Sequence, residues 1–330
     1  MALNRREAIK RSALSVAGLA AVGGAQVRGS NVQSSHPSHD PGIAGAVGEV
    51  TDAGIDPHAF LETFDYGAVS RSPSDQVVRA FEIQAIDREI EVAPGVFYPA
   101  WTYNGQVPGP TLRATEGDLV RVNFTNLGTH PHTIHFHGIH AARMDGVFEV
   151  VGPGQSFVYE FTARPFGVHL YHCHSVPLKK HIAKGLYGAF IVDPRSARPA
   201  AREMVMVLNG FDTNFDSENE VYAANTVAFA YQRKPITVRR GELQRLYLVN
   251  VLEFDLVNSM HLHGNFFHVY RTGTALQPHD YTDTLMMCQG ERHMIEFTYD
   301  DPGMFMFHAH QSEFTELGWM GMFNVVEAVA

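Results

Sequence analysis

The chain has 330 residues, of which 45% are hydrophobic and 18% charged, and its formal net charge is −10 at pH 7. This composition is ordinary for a soluble globular protein with room for two hydrophobic cores. The negative charge argues against nucleic acid or an anionic membrane surface as a partner. Two cysteines, Cys173 and Cys288, exclude a disulfide framework, whereas histidine is unusually frequent, with 19 copies.

The amino terminus has the pattern of an export signal. Arg5 and Arg6 precede a run of small, uncharged residues from Ser12 to Gln26. The pattern resembles a twin-arginine (Tat) signal peptide, and the run is too short for a confident membrane span. We therefore expect residues 1–25 to be a Tat-type signal peptide, the mature protein to lack a membrane span, and its location to be periplasmic or extracellular.

The next segment predicts a flexible connection rather than a folded unit. Ser, His, Pro and Gly are frequent from residue 26 to about residue 60. We expect residues 26–69 to form a flexible leader and N-terminal arm, with His58 in solvent.

Short strands with alternating polarity begin near residue 78. Val120, Val122 and Phe124 alternate with polar neighbours, as in a half-buried strand, and Gly and Pro mark the turns. No stretch of comparable length has the pattern of an amphipathic helix. The sequence therefore predicts an all-β fold of the sandwich type.

The chain repeats itself. TLRATEGDLVRVNFTN, which begins at Thr111, is echoed by TVRRGELQRLYLVN, which begins at Thr237, and each copy leads to an HxHG motif. FGVHLYHCH, ending at His174, is echoed by PGMFMFHAH, ending at His310. The repeat predicts two domains of one fold, at residues 70–197 and 198–330.

Four HxH pairs occupy equivalent positions in the two copies. Because successive side chains of a strand point to opposite faces, each pair places two imidazoles on one face. Clustered imidazoles suit copper, zinc or iron. The eight residues are His135, His137, His172, His174, His261, His263, His308 and His310.

A second kind of site is predicted on the opposite face of the same strand. Cys173 lies between two of these histidines, and by the same alternation it faces away from them, as does His132. With His181 they make a His₂Cys set typical of blue copper. Leu186 is best placed for the axial position, where it cannot coordinate, and this should raise the reduction potential.

The second copy lacks this set. Asn258, Ala309 and, by a gapped match, Phe314 stand where the first copy has its two histidines and its cysteine. Only the first domain is therefore expected to take up electrons. Cys288 is left over, and we expect it to be a small buried hydrophobe.

These motifs resemble those of two-domain, laccase-like multicopper oxidases of the cupredoxin superfamily. The resemblance implies two Greek-key β-sandwich domains, with the type 1 copper in the first, and a homotrimer with copper clusters between subunits. It also implies one type 1, one type 2 and two type 3 copper ions per protomer. The type 2 copper would bind His135 and His261, and the type 3 pair would bind His137, His172, His174, His263, His308 and His310.

The function implied is the one-electron oxidation of a reducing substrate coupled to the four-electron reduction of dioxygen to water. The alternatives are a copper-containing nitrite reductase and a non-enzymatic copper or electron-transfer protein. In nitrite reductase a mononuclear type 2 copper has three histidines and a nearby aspartate, where this chain has His135. The reductant remains open among phenols, aromatic amines, metal ions and redox proteins.

Two further groups of residues are assigned less specifically. Asp145 is a candidate proton relay, although an aspartate before Gly146 is equally explained as a turn residue. Glu313 and Glu316 are weaker candidates.

Several methionines raise the idea of a cuprous-ion oxidase, but they alternate as packing residues do and are expected in the core: Met286, Met287, Met294, Met304, Met306, Met320 and Met322.

Overall fold

The structure, a computed structural model, describes residues 48–328. The predicted export signal and the first half of the predicted leader and arm lie outside the described residues. Strands dominate the described part, and its helices are short. This confirms the all-β fold class. No helix among the described residues is long and apolar enough to cross a membrane.

The first domain is a sandwich of two sheets. One sheet has the strand order β1-β2-β5-β7, with β3 paired to β2, and the other has the order β4-β9-β8-β6. Their strands are β1 (Ala68–Arg71), β2 (Val77–Ala93), β3 (Val96–Tyr103), β4 (Leu112–Thr115), β5 (Leu119–Asn126), β6 (His135–Phe136), β7 (Ser156–Thr162), β8 (Gly167–His172) and β9 (Tyr187–Asp193).

The second domain repeats this plan. Its sheets have the orders β11-β10-β13-β18-β15-β16 and β12-β20-β19-β14-β17. Their strands are β10 (Arg202–Phe211), β11 (Val221–Ala224), β12 (Ile236–Arg239), β13 (Gln244–Asn250), β14 (Val257–Leu262), β15 (Phe267–Arg271), β16 (Asp280–Thr282), β17 (Thr284–Cys288), β18 (Arg292–Phe297), β19 (Gly303–His308) and β20 (Met320–Val326).

The repeat extends to strand pairing. The parallel pairs β2/β5 and β4/β9 of the first domain correspond to β10/β13 and β12/β20 of the second. Short helices fill the connections: α1 (Pro57–Glu62), a 3-10 turn (Ala142–Met144), α2 (Leu178–Ala183), α3 (Ala230–Arg233) and α4 (Ser312–Glu316).

An apolar layer joins the two domains. Val168 and Leu170 of β8 belong to the same buried cluster as Val205 and Val207 of β10. Polar contacts reinforce it, since the Arg113 guanidinium bridges carboxylates on β9 and β10. The relative position of the two domains within one chain is therefore set by packed side chains rather than by the linker alone.

Residues 48–69 differ from the flexible arm expected from composition. They include helix α1, whose Phe60 and Leu61 are buried against the folded domains. The ring of His58 packs edge-on against a tyrosine of the second domain, and burial lowers its pKa. The expectation of a solvated His58 was wrong, because two apolar residues in a polar segment are enough to anchor one helical turn.

Candidate metal centres

Four imidazoles of the first domain lie together, and we call them the first quartet: His135, His137, His172 and His174. Strand pairing places His135 directly opposite His172. The ring centroids of contacting members are 5.0–6.0 Å apart. The Nε2 atoms of His137 and His172 are 3.3 Å apart.

The second domain builds the same arrangement, the second quartet, from His261, His263, His308 and His310. His261 pairs with His308 in the register that His135 has with His172. Its contacting ring centroids are 5.0–6.0 Å apart, and the Nε2 atoms of His263 and His308 are 2.9 Å apart. The structure thus brings together the predicted histidines of each domain.

Backbone carbonyls fix the orientation of these rings. The Nδ1–H of His135 donates to the carbonyl of Asp145 at 2.7 Å, and that of His172 donates to the carbonyl of Cys173 at 2.9 Å. Their counterparts in the second quartet are held by carbonyls in the same way. With Nδ1 occupied as a donor, the Nε2 lone pairs point to a common centre, which is the tautomer a metal requires.

Burial keeps the rings in the neutral form that binds metal. Desolvation, with help from neighbouring imidazoles, lowers the pKa of His137 to about 2. Burial likewise lowers the pKa of His172 to about 4. At neutral pH these rings hold no competing proton on the coordinating nitrogen. The donor set of the first quartet therefore fits copper or another imidazole-binding metal.

The predicted His₂Cys set also converges, on the other face of β8. Cys173 Sγ lies 3.3 Å from His181 Nδ1 and 3.9 Å from His132 Nδ1, and the two Nδ1 atoms are 3.2 Å apart. All three residues are buried. Leu186 is fully buried in the same apolar cluster as the cysteine, consistent with an apolar neighbour rather than a ligand.

Electrostatics at this site favour a bound cation. Burial lowers the pKa values of His132 and His181 to about 4 and raises that of the Cys173 thiol. A buried thiolate without a partner is unfavourable, whereas a thiolate bound to a metal is deprotonated outright. Two neutral Nδ1 atoms and one sulfur, enclosed in apolar surroundings, fit blue copper.

Trp101 belongs to this site and was not anticipated from the sequence. Its ring centroid is 4.8 Å from that of His181 and 5.4 Å from that of His132. The ring of the exposed His130 lies 4.4 Å from that of Trp101 at a tilt of 38°, and the Lys180 ammonium lies over the indole. Trp101 comes from β3, distant in sequence, so no local pattern links it to the site.

The first quartet opens into a cavity of about 370 Å³ at the domain boundary. The second domain of the same chain contributes Glu253 and Gln289 to its wall. The Gln289 amide donates to the Glu253 carboxylate at 2.5 Å, and burial raises the pKa of that carboxyl group. Neither residue was among the sequence candidates, because only the domain contact brings them near the imidazoles.

Asp145 lies where the sequence placed it, beside the first quartet. Its carboxylate is 3.2 Å from His135 Nδ1 and 3.8 Å from His140 Nε2. The His140 ring is held by a hydrogen bond to the carbonyl of Phe136 at 2.8 Å. The carboxylate therefore contacts a candidate ligand directly, which a turn role by itself does not require.

The second quartet has a different environment. His263 and His310 are exposed, and the close imidazole groups of residues 48–328 each draw on a single domain. Strand β17 begins at Thr284, opposite His261, and ends at Cys288, next to Gln289, which lines the cavity of the first quartet. From Thr284 to Cys288 an extended strand spans roughly 13 Å, so the two quartets are far apart along this strand. One chain alone does not bring all eight imidazoles together.

Matched backbone hydrogen bonds define which residues correspond between the domains. The N–H of Cys173 donates to the carbonyl of Leu186 at 2.9 Å, as the N–H of Ala309 does to the carbonyl of Trp319 at 3.3 Å. Trp319 thus takes the place of the apolar axial residue. Sequence comparison did not identify this correspondence.

The two histidine positions correspond in the same manner. The backbone N–H of Leu186 donates to the backbone carbonyl of His181, and that of Trp319 donates to the backbone carbonyl of Phe314. This supports the gapped match. Asn258 precedes the serine that bonds to His310, just as His132 precedes the threonine that bonds to His174. The three positions named from the sequence therefore occupy equivalent places in the fold.

Two expectations about sulfur residues were wrong. Cys288 is exposed, not buried. Met286 and Met304 are 70% and 54% exposed, whereas Met287 and Met294 lie in the core as expected. Cys288 and Met286 lie on the outward side of β17, an edge strand, and edge position cannot be deduced from local alternation.

Comparison with known proteins identifies the family. Two sequence profiles described as multicopper oxidase match residues 86–197 and 198–329, most of the chain. This chain belongs to the multicopper oxidase family. It is accordingly built from two cupredoxin-like domains.

Solved structures of similar proteins support this assignment. A crystal structure of a multicopper oxidase is 54% identical, covers 83% of this chain and 98% of its own, and superimposes with a TM-score of 0.82. A blue copper oxidase from Nitrosomonas europaea is 30% identical, with a TM-score of 0.67 over 75% of this chain and 86% of its own.

The relationship to copper nitrite reductases is confirmed as well. The copper-containing nitrite reductase of Neisseria meningitidis is 29% identical over 251 residues, which cover 69% of this chain. The match spans 64% of that relative's length, so less than two thirds of it is represented here.

Proposed function

We propose that this multicopper oxidase is laccase-like and couples four one-electron oxidations of a reducing substrate to the reduction of dioxygen to water. The observation that carries the proposal is the pair of matched quartets. Their eight imidazoles exceed the needs of a mononuclear centre and suit the type 2 and type 3 coppers of a trinuclear cluster. When bound, these coppers supply electrons and Lewis acidity to dioxygen.

One peptide bond on each side of Cys173 connects the His₂Cys site to the first quartet. Cys173 faces His132 and His181, while its sequence neighbours His172 and His174 belong to the first quartet. The strand thereby provides a short covalent route for electrons from the buried thiolate to the imidazoles. Trp101 covers His181 and excludes water from it, so an electron donor would approach from the side of that indole.

Protons for water formation need donors beside the imidazoles. Glu253 lines the cavity of the first quartet, and burial raises the pKa of its carboxyl group, which favours the protonated form that can donate a proton. The Gln289 amide orients this group through Oε1. Asp145 is the second candidate and holds the His135 ring in place.

We further propose a homotrimer with clusters shared between chains. Within one chain the quartets stand apart, and the second quartet is open. A closed head-to-tail ring places the second quartet of each chain against the first quartet of its neighbour and leaves none unpaired.

Export by a Tat-type signal to the periplasm or outside the cell remains part of the proposal, because Tat carries folded cargo.

Nitrite reduction is the second candidate, favoured by the nitrite reductase relatives. Copper counting, oxygen uptake with a phenolic or aromatic amine donor, and nitrite consumption on the purified protein distinguish the two. The proposal expects oxygen uptake, with one type 1, one type 2 and two type 3 coppers per chain. Nitrite consumption without oxygen uptake, or two coppers per chain, would contradict it.

A further inference from the structure

A row of methionines leads to the second quartet on the outer face of its sheet. Met320 pairs directly with His308 across β19 and β20, and Met322 pairs with Met306. Met304 and Met306 precede His308 by four and two residues, so all three side chains share one face. We call Met304, Met306, Met320 and Met322 the thioether row.

Core packing does not explain the thioether row. Met304 is 54% exposed, and the other three are only partly buried. The core on the other side of these strands is filled by alternate residues such as Phe307 and Phe323, which are fully buried. The outward face of an antiparallel sheet usually carries polar side chains, so thioethers here call for another reason.

The chemistry of the row suits one ion. Thioethers are soft ligands that select Cu(I), and the flexible methionine side chain adapts to trigonal coordination. No carboxylate stands among these paired positions, so Mg²⁺ or Ca²⁺ would find no suitable ligands there. Directly paired residues have Cβ atoms about 5 Å apart, and residues two apart on a strand are about 6.6 Å apart, distances that these side chains bridge.

We propose that the thioether row is a cuprous-ion uptake site that supplies the second quartet. The ion binds first near the exposed Met304 and moves by ligand exchange through Met306, Met322 and Met320 to His308 and His263. Copper stays Cu(I) throughout, so no electron donor or acceptor is needed. The inference rests on the proposed function, in which the second quartet holds copper.

Packing against a second copy of the chain is the competing explanation, and isosteric substitution separates the two. Leucine preserves the volume and apolar character of methionine but removes the sulfur. The test variant is Met304→Leu/Met306→Leu/Met320→Leu/Met322→Leu. The matched control is Met260→Leu, a buried methionine on the inner face of β14.

The experiment uses full-length apoprotein in a Cys173→Ser/Cys288→Ser background, so that neither the buried thiol nor the exposed one adds a copper–sulfur signal. Cu(I) is supplied anaerobically as its bicinchoninate complex, first below and then above stoichiometry. We expect sulfur-rich coordination by X-ray absorption at low loading, followed by nitrogen-rich coordination. The quadruple variant should lack the sulfur stage and fill the quartet about tenfold more slowly at limiting Cu(I), with the same final content.

The outcomes are distinct. Loading of the quadruple variant at the rate of the Met260→Leu control, with no sulfur stage in either protein, overturns the uptake site and assigns the face to packing. A His263→Ala/His308→Ala protein should keep the sulfur stage but bind less copper in the nitrogen-rich stage, because its second quartet is disrupted while the first is intact. This result would support the row. If the unsubstituted quartet takes up no copper even in excess while the sulfur stage appears, the proposed function fails and sulfur binding by the row is upheld.

Discussion

The two domains share a scaffold but use one pocket in opposite ways. In the first domain the pocket beyond the end of β8 holds Cys173 with His132 and His181, beside Trp101. In the second, Phe314 fills it and stacks on Tyr222 with ring centroids 4.1 Å apart. The backbone hydrogen bonds around both pockets are the same.

The difference teaches that the two kinds of ligand are independent features of one strand. His308 at the end of β19 and His310 just beyond it both belong to the second quartet, although Ala309 stands between them in place of a cysteine. Apolar packing by Phe314 and Trp319 stabilises the second pocket without metal. The scaffold therefore carries a quartet of imidazoles in each domain, while the His₂Cys set occurs in the first.

The largest expected effect comes from removing the thiol of the first pocket, which the second pocket also lacks. Cys173→Ser should abolish the intense blue absorption and reduce turnover to background, because the only thiolate of the pocket is lost. Copper bound by the quartets should remain, since Cys173 faces away from them. Metal analysis and visible spectroscopy check both points, and a surviving thiolate-to-copper band would show that the assignment is wrong.

The partly buried Glu253 lines the cavity of the first quartet, and Glu253→Gln removes its carboxyl group. We expect oxygen reduction to slow by about 10²-fold, the lower end of general-acid effects, with the blue absorption and copper content unchanged. Steady-state rates against pH and reoxidation of the reduced enzyme measure this. The exposed Glu89→Gln is the matched control, and equal rates in both variants would exclude Glu253 as a proton donor.

Rebuilding the second pocket tests whether ligands alone account for the contrast. Asn258→His/Ala309→Cys/Phe314→His should stay colourless at that pocket, because Trp319 fills the axial side. Replacing the buried Phe314 should lower the free energy of unfolding by about 2–4 kcal/mol, measured by denaturant titration.

Adding Trp319→Leu to that triple variant should open the pocket and allow a second blue absorption. The measurement is best made in the Cys173→Ser background, where the first pocket contributes no colour. A blue triple variant that retains Trp319, or a colourless quadruple variant that folds, would contradict this account of the axial position.

The smallest effect concerns Leu186, the axial residue of the first pocket. Leu186→Met offers a thioether and should lower the type 1 potential by on the order of tens of millivolts. Redox titration of the blue absorption gives the difference. An unchanged or higher potential would show that another side chain occupies the axial side.

Sequence reasoning succeeded where strand alternation and the internal repeat determine position. Alternation predicted that Cys173 and His172 lie on opposite faces of one strand. The repeat predicted that His135 and His261 occupy equivalent positions in the two domains. The gapped match of His181 to Phe314 agrees with the glycine four residues after each of them, Gly185 and Gly318, whose φ values are +111° and +126°.

The remaining features depend on contacts between distant segments. Trp101 and Glu253 reach their sites through sheet packing and the domain boundary, which no local pattern encodes. Met304 was assigned to the core because alternation gives two faces without saying which is covered. The anchoring of α1 by Phe60 was missed for a different reason, because this segment was assigned from its polar composition.

The most direct test of the shared cluster is complementation between chains. A His137→Ala/His174→Ala protein and a His263→Ala/His310→Ala protein should each be inactive alone. After subunit exchange, mixed trimers should regain part of the oxidase activity, because some interfaces combine two intact quartets. Verified mixed trimers without recovery, beside a wild-type and mutant mixture that retains activity, would show that each cluster lies within a single chain.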